Sequence, residues 1–413
     1  MLPEINRIYK GDALDVLRGW PDGFVHMCVT PPPYWALRDY GTASWEGGDP
    51  GCAHTIVEPT ADNKAVFDDR PKAGDRTVCR LCGARRIDSQ AGLENTPAEY
   101  VDRMVTIFRE VRRVLRPDGT LWLNLGDSYC SRPFSDGPDA HLKAKDLVGI
   151  PWRVAFAMQA DGWYLRSDIV WSKGNPMPES IRDRPTRSYE FVFLFSKESR
   201  YYYDPDAIRE EHVTPACMQR IENYRAEQAR SENIKCTGGS SGFHPLGRNA
   251  RSVWTVNTHP FEAHFATFPE KLIERPILAG TSARGCCTTC GAPYERIVER
   301  VHGKDWNAHK TQDDRMTTGR GTGAAADKER IETPPKTIGR RPSCSCAHKT
   351  ERAPCIVLDP FMGAGTTAKV ALRAGRAFLG IDLNDQYIAL AERRIDHLLR
   401  QTDLFSLSGD GIS

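Results

Sequence analysis

Two groups of residues, one near each end of the chain, have types and spacings suited to the transfer of a chemical group. The segment Asp359–Thr367 reads Asp-Pro-Phe-Met-Gly-Ala-Gly-Thr-Thr and lies between a predicted strand and a predicted helix. Glycines in such a turn let the backbone approach a ligand closely, and the helix that follows presents free N–H groups. Asp382 ends the next predicted strand, where a carboxylate can accept hydrogen bonds from both hydroxyls of a ribose. The pair predicts a site for an adenosine-containing cofactor.

A nicotinamide-dependent enzyme is the first alternative, because Gly363–Ala368 also fits the looser dinucleotide-binding fingerprint. A dinucleotide fold needs several further strands after the carboxylate, whereas only about 30 residues and one predicted helix follow Asp382. The remaining strands must therefore come from the N-terminal part of the chain. Asp12 would then lie at the tip of the strand next to the cofactor, as a further cofactor-binding residue.

The second group follows a predicted strand near the N-terminus and consists of Thr30, Pro31, Pro32, Pro33, Tyr34 and Trp35. Prolines fix the backbone and lack N–H donors, so a row of carbonyl oxygens is left to accept hydrogen bonds, and the two aromatic rings offer a stacking face. This combination suits an amino group on a planar base. Fixed acceptors for the two amino protons would free the nitrogen lone pair for nucleophilic attack. A rigid proline turn over an aromatic contact, with no chemical role, is the alternative.

Two cysteine clusters have the spacing of zinc ligands. The first comprises Cys52, His54, Cys79 and Cys82, and the second comprises Cys287, Cys290, Cys344 and Cys346, with Cys286 as an alternative donor. Each cluster lies in a segment with too little apolar content to fold unaided, so a metal ion would order it. We therefore predict one or two structural zinc ions, with unmetallated surface thiols as the alternative. A catalytic role is not expected, because neither cluster lies beside the reaction segment in sequence.

Length and composition narrow the class of protein. With 413 residues and 40% hydrophobic content, the chain can bury a sizeable core in one large domain or two ordinary ones. No apolar run approaches the ~20 residues of a membrane helix, and no signal sequence is evident, so neither membrane insertion nor secretion is expected. Thirteen cysteines in such a chain indicate a reducing compartment. The net charge of +2 does not by itself indicate nucleic-acid binding, but arginines concentrate between residues 182 and 251, where a solvated surface is the alternative.

Two separated blocks of alternating strands and helices must position these residues. The first block holds five predicted strands, at residues 5–9, 24–29, 120–125, 164–171 and 189–195, and the last block holds two, at 356–359 and 377–381. Predicted helices lie at residues 13–18, 96–115, 151–160, 269–279, 366–374 and 385–399. Strands separated mostly by helices favour a seven-stranded, doubly wound α/β sheet.

Taken together, these motifs resemble those of the DNA amino-methyltransferases, in the group whose catalytic motif precedes the cofactor motif. The family's Pro-Pro-aromatic motif is matched by Pro32–Trp35, its Asp-Pro-Phe-x-Gly-x-Gly-Thr-Thr stretch by Asp359–Thr367, and its Gly-x-Asp-x-Asn segment by Gly380–Asn384. His264–Leu272 resembles the family's N-terminal cofactor wall. The resemblance spans nearly the whole chain. It implies a Rossmann-like, circularly permuted fold that uses S-adenosylmethionine to methylate an exocyclic amino group in DNA.

The same resemblance implies the residues that hold the cofactor and the base. The cofactor residues are Asp12, Phe268, Pro269, Lys271, Asp359, Phe361, Gly363, Gly365, Thr366 and Asp382. The implied chemistry is direct displacement at the sulfonium methyl, with the base amine as nucleophile and Pro32, Pro33 and Tyr34 positioning it. The target base must leave the duplex stack to reach this site, and Tyr34 is its natural stacking partner.

Pro31 departs from the family's pattern, which places Asp, Asn or Ser before Pro-Pro. Our hypothesis is that main-chain carbonyls, with Thr30 or Asp127 nearby, replace the missing acceptor. Family members with Ser before Pro-Pro-Tyr, often followed by Trp, tend to methylate cytosine at N4, and those with Asp tend to methylate adenine at N6. Tyr34 and Trp35 therefore favour cytosine, with adenine as the alternative. A DNA-binding protein that binds the cofactor but has lost catalysis through Pro31 is the alternative from another class.

The chain is expected to divide into seven segments. Residues 1–40 carry the catalytic motif, 41–95 a zinc-knuckle insertion, 96–204 the second part of the catalytic domain, 205–255 a DNA target-recognition region, 256–285 the cofactor-wall helix, 286–350 a second zinc knuckle with a mobile loop, and 351–413 the cofactor motif and a closing helix. The expected partner is double-stranded DNA with a flipped base, and a restriction endonuclease is a candidate second partner. A cytoplasmic location is expected, in a prokaryote or in the host of a phage.

Overall fold

The computed structural model describes nine stretches of the chain, which are residues 2–36, 43–54, 79, 81–131, 133–211, 247–258, 268–299, 336–346 and 351–407. The strands are β1 (Arg7–Lys10), β2 (Val25–Thr30), β3 (Ser44–Glu46), β4 (Arg85–Ile87), β5 (Leu115–Leu125), β6 (Tyr164–Ser172), β7 (Tyr189–Ser196), β8 (Val253–Thr255), β9 (Cys286–Cys287), β10 (Tyr294–Glu299), β11 (Lys336–Pro342), β12 (Arg352–Ala353), β13 (Ile356–Asp359) and β14 (Ala377–Asp382). The helices are α1 (Ala13–Arg18), α2 (Pro97–Val114), α3 (Ile150–Ala160), α4 (Glu270–Gly280), α5 (Thr366–Arg373) and α6 (Asp385–Leu407).

Eight of these strands form one sheet in the order β1-β14-β13-β2-β5-β7-β6-β8. From β1 to β5 in that order, neighbouring strands are parallel, while β7 is antiparallel to both β5 and β6, and β8 is parallel to β6. The carboxyl ends of every strand except β7 therefore lie at one side of the sheet, which we call the carboxyl edge. Thr30 ends β2, Asp359 ends β13 and Asp382 ends β14, so both predicted motifs begin at this edge.

Helices cover both faces of the sheet, which confirms the α/β fold class predicted from the sequence. Side chains alternate between the faces along β7, where Phe193 joins one core cluster and Val192 and Leu194 join the other. The first cluster includes residues of α1, α2 and α3, and the second includes residues of α4, α5 and α6. Trp122 belongs to the second cluster and stacks on Trp254 of β8 with ring centroids 6.2 Å apart.

The helix α2 shows how the local sequence specifies these elements. The Thr96 side chain accepts a hydrogen bond from the Glu99 N–H at 3.2 Å, and Pro97 occupies the first turn, where a missing N–H has no cost. Buried residues then recur at helical spacing, among them Met104 and Phe108. One face of α2 is therefore buried against the sheet.

All seven strands predicted from the sequence join the main sheet, and β8 extends it by one strand of three residues. Three further two-stranded sheets are β3 with β4, β9 with β12, and β10 with β11. Among the helices of the described stretches, none combines the length and the apolar character needed to cross a membrane.

Candidate active site

Asp359 lies at the carboxyl edge and joins the two predicted motifs. Its Oδ1 accepts hydrogen bonds from the Thr30 hydroxyl at 2.6 Å and from the Phe361 N–H at 3.0 Å, and its Oδ2 accepts one from the Thr367 hydroxyl at 2.6 Å. Burial raises the pKa of Asp359 to about 6, although the hydrogen bonds from Thr30 and Thr367 oppose that rise. One buried carboxyl group thus holds the end of β2 against the start of the glycine turn.

The glycine turn after β13 packs directly against α6 and against Asp382. Gly363 and Gly365 have φ angles of 51° and 76°, in the left-handed region that glycine adopts most easily. A Cβ atom on Gly365 would lie 2.7 Å from the Cβ of Ala391, so α6 leaves no room for a side chain there. Asp382 accepts hydrogen bonds from the Gly363 N–H at 2.7 Å and the Asn384 N–H at 2.8 Å, and burial raises the pKa of its carboxyl. The turn and this carboxyl group are therefore in contact, and Thr366 starts α5 behind them.

Asp12 is brought to the same corner of the sheet because β1 pairs with β14. Lys10 lies opposite Asp382 in that pairing, and α1 begins directly afterwards. Asp12 caps α1, since its Oδ1 accepts a hydrogen bond from the Leu14 N–H at 2.8 Å, and its Oδ2 forms an ion pair with Arg103 at 3.2 Å. The Asp12 carboxylate therefore has protein partners beside the strand end that carries Asp382.

The predicted cofactor wall lies partly in the described residues, since residues 264–267 fall outside them. Phe268 and Pro269 are buried just before α4, while Lys271 is exposed in its first turn. Glu270 forms an ion pair with a lysine of α5 at 2.7 Å, which holds the start of α4 beside the helix that follows the glycine turn.

Tyr34 is placed at the carboxyl edge by contacts on its ring and on its hydroxyl. The ring packs on Gly126, where a Cβ atom would lie 2.6 Å from Cε2 of the tyrosine. The hydroxyl donates a hydrogen bond to Oε2 of Glu190 at 2.6 Å and lies 3.1 Å from Oδ1 of Asn124. Lys173 donates to Oε1 of Glu190 at 2.5 Å, and the amide of Asn124 donates to Oε2 at 3.2 Å. The phenol is thus fixed by a carboxylate that has its own fixed partners.

Sequence reasoning missed Asn124, Lys173 and Glu190. They lie far apart in sequence, but Asn124 is near the carboxyl end of β5, Lys173 directly follows β6, and Glu190 is the second residue of the antiparallel β7. All three therefore meet at the carboxyl edge beside Tyr34. The available signal was a polar side chain at the end of each apolar strand, which becomes informative only when the strand order is known.

Trp35 and Pro33 anchor the loop that carries Tyr34 to the rest of the protein. Trp35 is buried, donates from Nε1 to the carbonyl of Glu94 at 3.0 Å, and lies against Phe134 with ring centroids 6.4 Å apart. The hydroxyl of Tyr100 donates to the carbonyl of Pro33 at 2.9 Å. The indole of Trp35 is therefore an anchor within the core, and Tyr34 is the aromatic residue of this loop that is placed beside Glu190.

The two side chains that were expected to replace the missing acceptor both have structural partners. The hydroxyl of Thr30 is bonded to Asp359, as described above. The Oδ1 of Asp127 accepts hydrogen bonds from two N–H groups at the start of α3, each at 2.9 Å. Within the described part of the chain, the carbonyl oxygens of Pro31 and Pro32 accept no protein hydrogen bond. The role of the main-chain carbonyls as acceptors stays a prediction from the sequence.

Each cysteine cluster brings four ligand atoms together. The ligand atoms of Cys52, His54, Cys79 and Cys82 all lie within 4.8 Å of one another, and so do those of Cys287, Cys290, Cys344 and Cys346. In the first cluster, the sulfurs of Cys52 and Cys79 are 3.9 Å apart, and the Cys82 sulfur is 3.3 Å from Nδ1 of His54. Zinc bonds of about 2.3 Å to sulfur and 2.0 Å to nitrogen give tetrahedral edges of roughly 3.5 to 3.8 Å. Both donor sets suit zinc.

A third group, His26 with Cys286 and Cys355, is fully buried but does not suit a metal. Nε2 of His26 bonds to the carbonyl of Gly291 at 2.9 Å, and Nδ1 accepts from the Ile356 N–H at 3.0 Å. Both ring nitrogens are therefore used, so Cys286 belongs to this packed group and not to the second cluster.

The arginine-rich middle of the chain is described only in part, because residues 212–246 of the predicted recognition region lie outside the described residues. Next to that gap, Glu210 forms ion pairs with Arg248 and Arg251 at 3.0 Å each and with Arg275 at 3.3 Å. These arginines therefore have an acidic partner within the protein.

Comparison with known proteins finds similarity to DNA methyltransferases. A family model described as DNA methylase matches residues 25–287 and 351–393. The type II methyltransferase M.Cfr9I of Citrobacter freundii is 35% identical over 405 residues, which cover 94% of this chain and 87% of that relative. The type II methyltransferase M.SmaI of Serratia marcescens is 32% identical over 406 residues, with 94% and 90% covered. A solved structure described as PvuII DNA methyltransferase (cytosine-N4-specific) aligns with a TM-score of 0.47 and 14% identity, over 97% of this chain and 93% of that one.

Proposed function

This chain belongs to the N6/N4 DNA methylase family, and we propose that it transfers a methyl group from S-adenosylmethionine to the exocyclic N4 amino group of cytosine in a specific sequence of double-stranded DNA. The observation that carries the proposal is the 2.6 Å hydrogen bond between Thr30 and Asp359, which joins the Tyr34 loop to the glycine turn. A methyl donor at the turn and a base at the loop would meet at the carboxyl edge.

The residues around the glycine turn fit S-adenosylmethionine. When bound, the cofactor supplies an electrophilic methyl group on a positively charged sulfur. In the proposal, the Asp382 carboxylate accepts hydrogen bonds from the ribose hydroxyls and the glycine backbone approaches the amino-acid part. The proposed cofactor residues are those predicted from the sequence, namely Asp12, Phe268, Pro269, Lys271, Asp359, Phe361, Gly363, Gly365, Thr366 and Asp382, with Asp359 acting from beneath the turn.

The Tyr34 loop would hold the flipped base and its amine. Tyr34 stacks on the base, while the carbonyls of Pro31 and Pro32 accept the two amino protons and direct the nitrogen lone pair at the methyl carbon. The bound cofactor would supply the methyl group, and its sulfur would keep the electron pair of the carbon–sulfur bond that is exchanged for the new N–C bond. One amino proton is then lost to solvent, which restores a neutral amine.

Glu190 would act through Tyr34 as a positioning residue. Its side chain is only 13% exposed and its carboxylate is held by Lys173 at 2.5 Å, so the acceptor of the tyrosine hydroxyl cannot rotate freely. Positioning of this kind contributes to rate because small displacements of a reacting group are costly.

Further parts of the proposal follow from this activity. Cytosine is preferred because Tyr34 is followed by Trp35, as in cytosine-modifying members of the family that the sequence resembles, and adenine N6 is the alternative target. A restriction endonuclease of the same specificity is the proposed partner, since the relatives carry type II methyltransferase names, and the bacterial cytoplasm is the place where such DNA is found. Both cysteine clusters are proposed as structural zinc sites, because displacement at a sulfonium methyl needs no metal.

The test incubates the purified chain with unmodified duplex DNA of varied sequence and methyl-labelled S-adenosylmethionine, followed by digestion to nucleosides and mass analysis. Labelled N4-methylcytosine supports the proposal, and labelled N6-methyladenine overturns the choice of base while keeping the reaction. Cofactor binding without label in DNA favours a DNA-binding protein that has lost catalysis. A Tyr34→Ala variant is the matched control, and it should bind the cofactor as the wild type does and label no DNA.

A further inference from the structure

The first cysteine cluster closes a small hairpin that has little else to hold it. β3 and β4 pair over three residues each and belong to no larger sheet, and an isolated pair of this size is marginal in water. Cys52 and His54 follow β3, and Cys79 and Cys82 precede β4. A bound ion would therefore hold the two strands together at the loop end of the hairpin, much as a structural zinc supplies folding energy to a small domain.

The hairpin also shows the local features of a metal knuckle. The Cys79 N–H bonds to the carbonyl of Ala84 at 2.7 Å, and the Gly83 N–H bonds to the carbonyl of Cys79 at 2.8 Å, which closes a tight turn around Cys82. Trp45 of β3 stacks on His54 with centroids 4.7 Å apart, and this contact orients the imidazole. The donors are therefore preorganised around one point.

The segment after β4 lies directly against the loop that carries Tyr34, and we call residues 89–94 the clasp. The Gly92 carbonyl accepts a hydrogen bond from the Ala36 N–H at 2.8 Å, and the Glu94 carbonyl accepts one from Nε1 of Trp35 at 3.0 Å. Gly92 has a φ of 93°, and a Cβ atom there would lie 2.8 Å from the carbonyl oxygen of Tyr34. The clasp thus contacts the loop at Tyr34, Trp35 and Ala36.

Arg103 of α2 connects the clasp to Asp12, which follows β1 beside the proposed cofactor site. Its guanidinium forms ion pairs with Asp12 at 3.2 Å and Glu94 at 3.4 Å, and it donates to the carbonyl of Ser89. Movement of the clasp would therefore disturb the Tyr34 loop directly and the tip of β1 indirectly.

The second cysteine cluster lies at the opposite edge of the sheet. Arg116, near the amino end of β5, donates to the carbonyl of Cys290 at 2.6 Å, and His26, near the amino end of β2, bonds to the carbonyl of Gly291 at 2.9 Å. This cluster therefore braces strands at the end remote from Tyr34. A variant that lacks the second metal site can therefore serve as a control for loss of the first.

We infer that the ion bound by Cys52, His54, Cys79 and Cys82 positions the Tyr34 loop through the clasp, whereas an ion bound by the second cluster does not. Loss of the first ion frees one end of the clasp, so Trp35 and Ala36 lose their hydrogen bonds to it. Loss of the second ion weakens the packing at the amino ends of β2 and β5. The effect on catalysis rests on the proposed function, but the effect on the loop does not.

The test compares full-length Cys82→Ser and Cys346→Ser with the wild type by elemental mass spectrometry and by hydrogen exchange. The wild type should hold about two zinc ions per chain and each variant about one. Peptides covering residues 33–36 and 89–94 should exchange at least about tenfold faster in Cys82→Ser, while Cys346→Ser should keep their protection. Zinc absent from the wild type, unchanged zinc in Cys82→Ser, or equal loop protection in both variants overturns the inference.

A second variant covers the case in which Cys82→Ser does not fold. Trp35→Phe removes the hydrogen bond to the clasp while keeping an aromatic ring in the core, so it should hold about two zinc ions and still show faster exchange at residues 89–94. Unchanged exchange in Trp35→Phe argues against coupling between the clasp and the loop. Wild-type chain that holds two ions but labels no DNA would reject the proposed function and leave the inference standing.

Discussion

The hydrogen bond between Tyr34 and Glu190 should be visible as coupling between the two residues in catalysis. A hydrogen bond to a charged group contributes about 1.5 to 3 kcal/mol, which is roughly 10- to 150-fold in rate if it acts only when the base is in place. We apply this range to the Tyr34–Glu190 bond because it is 2.6 Å long and the Glu190 side chain is only 13% exposed. Tyr34→Phe and Glu190→Ala should each lower kcat by such a factor.

The double variant Tyr34→Phe with Glu190→Ala is the decisive measurement. If Glu190 acts through the phenol, the double variant should be no slower than the slower single variant, because the same interaction is removed twice. Glu190→Gln keeps an acceptor for the phenol and should retain more activity than Glu190→Ala. Single-turnover methyl transfer gives kcat, and calorimetric titration gives the Kd for S-adenosylmethionine, which should stay unchanged.

A matched control is Tyr164→Phe, because Tyr164 is 43% exposed and lies at the start of β6, at the amino end that is remote from Tyr34. That variant should have wild-type kcat. Losses that multiply in the double variant, or a Kd for the cofactor that rises with either substitution, would refute the reasoning that Glu190 acts by orienting Tyr34.

Three further predictions concern the same edge. Gly126→Ala places a methyl group 2.6 Å from the Tyr34 ring, so kcat should fall while cofactor affinity by titration stays the same. Asp382→Ala removes the two charge-assisted hydrogen bonds that we propose for the ribose, so the Kd for S-adenosylmethionine should rise roughly 100-fold, with no rise arguing against that contact. Asp359 has a pKa of about 6 in the fold, so the folded chain takes up a proton on acidification before the unfolded chain does. Its contribution to stability therefore grows by about 1 kcal/mol from pH 7 to pH 5, and unfolding of Asp359→Asn should lack that increment.

Elements with strong periodic patterns could be predicted from the sequence, and short or non-local features could not. α2 has a cap, a first-turn proline and a buried stripe, so its start could be read from Thr96 and Pro97. β8 has three residues and obtains its place from pairing with β6, so its sequence carries no pattern of its own.

Some contacts of the candidate site could likewise be predicted from the sequence, and others could not. The glycine turn and Asp382 are close in sequence, and their contact follows from the alternation of strand and helix. Glu190 contacts Tyr34 across 156 positions, and only the antiparallel insertion of β7 between β5 and β6 brings it there. Thr30 looked like a free acceptor in the sequence, but the neighbouring strand supplies Asp359 as its partner.

The position of β13 and β14 between β1 and β2 has a consequence for synthesis on the ribosome. β1 and β2 are translated well before β13 and β14, yet in the finished sheet these two later strands lie between them. Until those strands emerge, β2 has β5 as a neighbour on one side and an open edge on the other, and such edges invite pairing with other chains. The space between β1 and β2 must therefore stay open in the nascent chain, and the cofactor site can assemble only after β13 and β14 have been translated.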